Sequence, residues 1–190
     1  MSAAKPTVEP LARPVYYVVM RLRRKVCLLG APGVGKTSLA RRLAENIFEG
    51  DYESKLSMAI FKGALELGDI SLEIMLWDPG GVEAWGQYNR SFISGASGLA
   101  FVVDATSPRT LDHLLEAQAK GRGFIGSRPS LLIVNKIDLT RDFALTKPQL
   151  EAAGKLDWYI AQASAKSGYN VNEAFERLAK MMLDVRKESA

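Results

Sequence analysis

One cysteine and one histidine occur in 190 residues. A disulfide framework needs pairs of cysteines, and the usual structural zinc sites need several Cys or His ligands, so both are excluded. No apolar run approaches the ~20 residues that a membrane-spanning helix requires. The opening Met1-Ser2-Ala3-Ala4-Lys5-Pro6 lacks the apolar stretch of a secretory signal. Internal repeats and low-complexity blocks are absent as well. Charge is nearly balanced: the net value is +4, and Arg21, Arg23, Arg24 and Lys25 account for that excess. A pI near 9.2 therefore makes no case for nucleic-acid binding. The four basic residues read as a solvated run, or as a weak contact for lipid headgroups or an acidic partner. These absences point to a reducing, cytoplasmic setting, with Cys27 serving packing rather than redox chemistry.

What is present suits one domain with a sizeable core: 47% of residues are hydrophobic and 24% charged. Residues 1–24, with Pro6, Pro10 and Pro14, read as an extension, partly flexible, with a possible extra strand at 15–20. The domain is expected at 25–186 and a short tail at 187–190. Within it, strands at Val26–Leu29, Ser57–Leu67, Ile70–Trp77, Leu99–Val103, Leu131–Val134 and Tyr159–Ala163 alternate with helices. The helices are expected at Lys36–Phe48, after Gly81, at Thr110–Ala119, at Lys147–Ala153 and at Val171–Val185. Gly68-Asp69 joins the second and third strands as a hairpin. Short all-apolar runs are typical of parallel strands buried on both faces. The pattern predicts an α/β fold with a doubly wound sheet, whose ligands sit at the C-terminal strand ends.

Gly30-Ala31-Pro32-Gly33-Val34-Gly35-Lys36-Thr37 follows the first apolar strand and opens the first helix. This is the phosphate-binding pattern G-x-x-x-x-G-K-[ST] in its proper setting. Glycines let backbone N–H groups point at phosphate oxygens, and the helix N-terminus adds partial positive charge. Lys36 can reach the β- and γ-phosphates, and Thr37 can offer its hydroxyl to Mg²⁺. A nucleoside triphosphate is the ligand this implies.

Leu76-Trp77-Asp78-Pro79-Gly80-Gly81 ends another strand. Asp78 can hold the metal from the far side, and the Gly81 N–H can approach the γ-phosphate. Asn135-Lys136-Ile137-Asp138 chooses the base: the Asp138 carboxylate can accept from the ring N–H and the exocyclic amine of guanine, a donor pair adenine lacks. Asn135 can tie the base to neighbouring loops, and the Lys136 stem can lie over the ring. In Ser164-Ala165-Lys166, the Ala165 N–H can meet the guanine carbonyl.

With G-x-x-x-x-G-K-T, D-x-x-G, N-K-x-D and S-A-K in this order, the chain resembles the Ras superfamily of small GTPases over roughly residues 25 to 185. The resemblance implies a three-layer P-loop fold with about six strands, mostly parallel with one antiparallel edge strand, and helices on both faces. It assigns Gly33, Val34, Gly35, Lys36, Thr37 and Ser38 to the phosphates, and Thr37 and Asp78 to Mg²⁺. Asn135, Lys136, Asp138, Ser164, Ala165 and Lys166 go to guanine, with Phe48 packing edge-on against the base or simply closing the helix end. Lys36, Gly81 and the position of Val82 form the catalytic set.

Three positions depart from that family. Val82 stands where a glutamine normally orients the attacking water, so unaided hydrolysis should be slow; Glu83, Gln87 or a partner could supply the group. Pro32 removes one N–H donor from the phosphate loop. The metal-binding threonine of the first switch aligns with Lys55, leaving Ser54 or Ser57 as replacement, Ser57 being the candidate metal ligand. The implied function is a guanine-nucleotide switch acting on GTP/GDP with Mg²⁺; the alternative is a pseudo-GTPase scaffold that holds nucleotide without hydrolysing it. Segments near 50–60 and 80–95, including Trp85 and Tyr88, would meet effector, exchange and activating proteins. With no cysteine near its end and Ser2 in place of glycine, the chain carries no lipidation motif, as in bacterial-type Ras-like GTPases.

Overall fold

The structure is a computed structural model and describes residues 20–46, 53–55, 58–79, 90–125, 127–139, 141, 144–156 and 158–184. The elements run β1 (Met20–Leu29), α1 (Lys36–Asn46), β2 (Glu53–Lys55), β3 (Met58–Leu67), β4 (Ile70–Asp78), α2 (Arg90–Ile93), β5 (Gly98–Asp104), α3 (Pro108–Ile125), β6 (Ser130–Asn135), α4 (Lys147–Gly154), β7 (Tyr159–Gln162) and α5 (Val171–Asp184). They form one sheet in the order β2-β3-β4-β1-β5-β6-β7. Only β3 runs against the others: it is antiparallel to β2 and β4, while β1 is parallel to β4 and β5, β5 to β6, and β6 to β7.

The three-layer arrangement follows from alternation along the strands. Val26, Leu28, Ala100 and Val102 face a core shared with Leu39 and Leu43 of α1 and Phe175 and Leu178 of α5. Cys27, Leu29, Phe101 and Val103 face the opposite core, with Leu111 and Leu114 of α3 and Ala153 after α4's midpoint. There Trp158 stacks on Phe101, with ring centroids 4.3 Å apart. Strands sandwiched between helical layers must be apolar on both faces, hence the continuous runs in β5 and β6. Cys27 is fully buried, with its thiol pushed up to about 12 by desolvation, as an inert core residue would be.

Several boundaries differ from the sequence reading. β1 is ten residues long and begins at Met20, inside the stretch assigned to the extension. Charge masks the strand in the sequence: Arg21 and Arg23 are exposed, while Arg24 and Lys25 are taken up by neighbours. Arg23 meets Glu73 of β4 at 2.7 Å, and Arg24 is largely buried. The Lys25 ammonium lies over the Trp77 ring at 3.9 Å and donates to the Phe92 and Ser94 carbonyls at the end of α2. Arg21–Lys25 is thus a strand with divided faces rather than one solvated basic surface. α3 continues through Gly121 and Gly123, well past the expected stop at Ala119. β2 is an additional short strand: Lys55 pairs with Met58, so β3 starts at Met58 and an outer strand lies beyond it. The Gly68-Asp69 hairpin is present, with Leu67 paired to Ile70.

β1 sits between β4 and β5, and successive strands are laid down to either side of it. Such a reversal opens a crevice at the C-terminal strand ends. The site is built there.

Candidate nucleotide-binding site

Each expected motif leaves the sheet at this edge. The phosphate loop follows β1, Asp78 ends β4, Asn135 ends β6, and Ser164 lies just after β7. The loop takes its shape from glycine: Gly33 and Gly35 have φ of 77° and 98°, in the left-handed region. At Gly35 space is also decisive, since a Cβ would lie 2.3 Å from the Asn135 Nδ2. Pro32 is exposed on the loop's turn, with Gly33 taking the unusual conformation beside it.

Lys36 is buried, and its ammonium donates to the carbonyls of Gly30 (2.9 Å) and Ala31 (3.1 Å). Desolvation lowers its pKa, while the Asp78 charge acts in the opposite direction. The Thr37 hydroxyl donates to the Asp78 carboxylate, so the first turn of α1 and the end of β4 meet at one point. Hydroxyl and carboxylate oxygens are the donors Mg²⁺ prefers, and a Mg²⁺ bound with nucleotide takes only one or two protein ligands beside phosphates and waters. The pair fits that ion.

Asn135 bridges two loops: its Nδ2 donates to the Val34 carbonyl at 2.8 Å, and its Oδ1 accepts from the Ala165 N–H at 3.0 Å. The Ser164 hydroxyl donates to Asp138 Oδ1 at 2.7 Å. Asn135, Asp138 and Ala165 line an open cavity of about 490 Å³ whose walls also include Gly33, Gly35, Ser38, Lys136 and Lys166. That volume is in the range of small-molecule sites.

The Ras family model matches residues 25–184. The chain belongs to the Ras family. Ras-related protein Rab-7b of Homo sapiens is 33% identical over 166 residues, covering 84% of this chain and 82% of that protein. Ras-related protein Rab-21 of Geodia cydonium is 31% identical over 170 residues, covering 88% and 74%. Ras-related protein Rab-1 of Theileria parva is 28% identical over 163 residues, covering 84% and 74%. The protein is a GTP-binding small GTPase. None of the helices in its described residues is long and apolar enough to cross a membrane.

In this Ras-family GTPase the predicted residues on the loop, at Asp78 and in the two guanine motifs lie at one edge of the sheet. Gly33, Gly35, Ser38, Asn135, Lys136, Asp138, Ala165 and Lys166 line the cavity, and Lys36, Thr37, Asp78 and Ser164 lie outside its lining. Phe48, Ser57, Gly81 and Val82 lie outside the described residues, as do Glu83, Trp85, Gln87 and Tyr88. The Ala165 N–H, expected to face guanine, is directed to Asn135 in this structure.

Two contributors to the site lie outside the sequence motifs. Arg42 of α1 donates to the Ala165 and Lys166 carbonyls. Asp104, at the end of β5, pairs with the Lys136 ammonium at 2.6 Å and accepts from the Thr106 N–H and hydroxyl. Lys136 has φ of 67°, uncommon for a non-glycine residue, and the Asp104 pair helps hold it there. A signal for Asp104 did exist: it follows the apolar run Leu99–Val103 as Asn135 follows Leu131–Val134, and the two are register partners.

Burial alone would raise the Asp104 pKa, but hydrogen bonds from Lys136 and Thr106, with the Lys136 charge, hold it below the ordinary value. Its folded pKa therefore lies under its unfolded one. The stabilisation is complete above the unfolded pKa of about 3.9 and fades as pH falls through the folded value. Asp104→Asn should therefore be less stable than wild type at pH 7, with the gap closing on acidification below about pH 4. Urea unfolding across that range checks this; a gap independent of pH contradicts it.

Proposed function

We propose that this GTPase is a GTP/GDP switch whose own hydrolysis is slow and is completed by a partner protein. The observation that carries the reading is the Thr37–Asp78 hydrogen bond. It ties the phosphate loop to the strand that leads directly into Gly81 and Val82, so a change at the phosphate end can be transmitted to the next segment. In hydrolysis a water oxygen bonds to the γ-phosphorus and the bond to the β–γ bridging oxygen breaks, leaving GDP and phosphate.

Lys36 would place its charge on the β- and γ-phosphates, its ammonium exchanging carbonyl partners for phosphate oxygens. Thr37 and Asp78 would hold Mg²⁺, which supplies further neutralisation of phosphate charge. The Gly81 N–H would meet the γ-phosphate. Val82 offers no donor or acceptor to orient water, and positioning is most of what a protein contributes to this reaction. Asp138, Asn135 and the S-A-K loop would select guanine. Effector, exchange and activating proteins would read the segments near 50–60 and 80–95; β2 and the start of β3 form part of the first.

Val82→Gln tests the slow step. Single-turnover GTP hydrolysis should rise about tenfold or more over wild type, with nucleotide affinity little changed. An unchanged rate would contradict the role given to this position.

A further inference from the structure

Arg42 belongs to none of the four nucleotide motifs, yet it joins two of them. It lies on the second turn of α1, six residues after Lys36. Its Nε donates to the Ala165 carbonyl at 3.1 Å, and a terminal guanidinium nitrogen donates to the Lys166 carbonyl at 2.9 Å. One planar fork thus holds two consecutive peptide groups, a geometry that suits arginine and that lysine, a point donor, cannot reproduce.

Two chains of hydrogen bonds lead away from this contact. In the first, the Ala165 N–H donates to Asn135, and Asn135 donates to the Val34 carbonyl. Val34 is joined to Arg42 by the backbone through the start of α1, so the path closes into a ring through the phosphate loop, Asn135, the S-A-K loop and α1. In the second, the peptide that carries the Lys166 carbonyl supplies the Ser167 N–H, which donates to Ser164 Oγ at 3.1 Å. The Ser164 hydroxyl in turn donates to Asp138 Oδ1 at 2.7 Å. A cation at a peptide carbonyl polarises the N–H of that same peptide, and bonds in such chains reinforce one another.

We propose that Arg42 is a positioning residue that fastens the S-A-K loop to α1, sets how long the nucleotide stays bound, and through Ser164 aims the Asp138 carboxylate. The proposal rests on the guanine-nucleotide reading above. Without the guanidinium the ring opens at the Arg42 link between α1 and the S-A-K loop, and the Ala165 and Lys166 carbonyls lose a charged donor. The base then loses a fixed wall, and Asp138 loses the fixed serine that orients it.

The experiment is release of fluorescently labelled GDP and IDP from the full chain in Mg²⁺ buffer, for wild type, Arg42→Lys and Arg42→Ala. IDP lacks the exocyclic amine that Asp138 would read. Arg42→Ala should release GDP about tenfold faster or more, as expected for loss of charged hydrogen bonds. Arg42→Lys should fall between it and wild type. The preference for GDP over IDP should shrink about threefold or more, an effect that general loosening of the fold would not produce. If Arg42→Ala does not fold, Arg42→Lys carries the same comparison with a smaller effect. Equal acceleration of both nucleotides, or GDP release within about twofold of wild type, overturns the proposal. A wild-type chain with no preference for GDP over ADP would instead overturn the guanine reading, an outcome visible before any substitution is made.

Discussion

Asp138→Asn is expected to weaken GTP binding by about 10²- to 10³-fold and to move the preference toward xanthosine triphosphate. The carboxylate is an acceptor only, and guanine presents two neighbouring donors to it. One oxygen of Asp138 already accepts from the Ser164 hydroxyl, which holds the group in a defined orientation on the cavity wall. Asparagine turns one of the two acceptors into a donor. It then faces the exocyclic amine with an N–H, leaving buried groups unpaired, a penalty that exceeds the worth of the bond itself. Xanthine replaces that amine with a carbonyl, which the amide can satisfy. Equilibrium competition among GTP, XTP and ATP measures the change, and equal GTP affinity in variant and wild type would show that Asp138 does not read the base.

Gly35→Ala should have the second large effect, through the backbone rather than through a lost charge. Its φ of 98° is one that side chains rarely adopt, and the added Cβ would lie 2.3 Å from the Asn135 amide nitrogen. Either the loop changes shape or Asn135 leaves the Val34 carbonyl, to which it donates at 2.8 Å. Strain at such a position is on the order of 1–3 kcal/mol, and the broken buried hydrogen bond adds about 1–3 kcal/mol more. Where they fall on the bound conformation, these together correspond to a loss of nucleotide affinity of about 30-fold or more. Titration with labelled GDP checks the loss. Gly33→Ala gives a useful contrast: its φ is also positive, but a Cβ there meets nothing within 4 Å. It should cost less.

The parts of this site that were legible in the sequence are those in which function fixes the residue type. A phosphate loop needs glycine at defined places, and a guanine reader needs a carboxylate beside an apolar strand. Gly35, Lys36, Asp138 and Ser164 could therefore be placed before any coordinates. The doubly wound sheet was legible too, because strands buried on both faces announce themselves as the apolar runs of β5 and β6, although their order was not. Arg42 was not legible, and Asp104 only as a polar residue closing the apolar run Leu99–Val103, since each acts through another residue at long range. Nothing within α1 marks Arg42 as a partner for carbonyls more than 120 positions away. Nothing local marks Asp104 as the counter-ion of Lys136. The first strand is longer than its apolar run for a related reason. Arg23 is exposed, pairing with Glu73 at the surface, but Lys25 meets an aromatic ring and the carbonyls at the end of α2. Likewise the helix expected at Thr110–Ala119 begins at Pro108 and runs on to Ile125.

The most direct test of the account as a whole is phosphate release from preformed protein·GTP·Mg²⁺ in a single turnover, with the chain alone and with cell extract added. A switch of the kind proposed releases phosphate slowly by itself and faster with extract, and GDP remains bound at the end. No phosphate release under either condition, with GTP still bound, would contradict it and identify the chain as a nucleotide-holding scaffold.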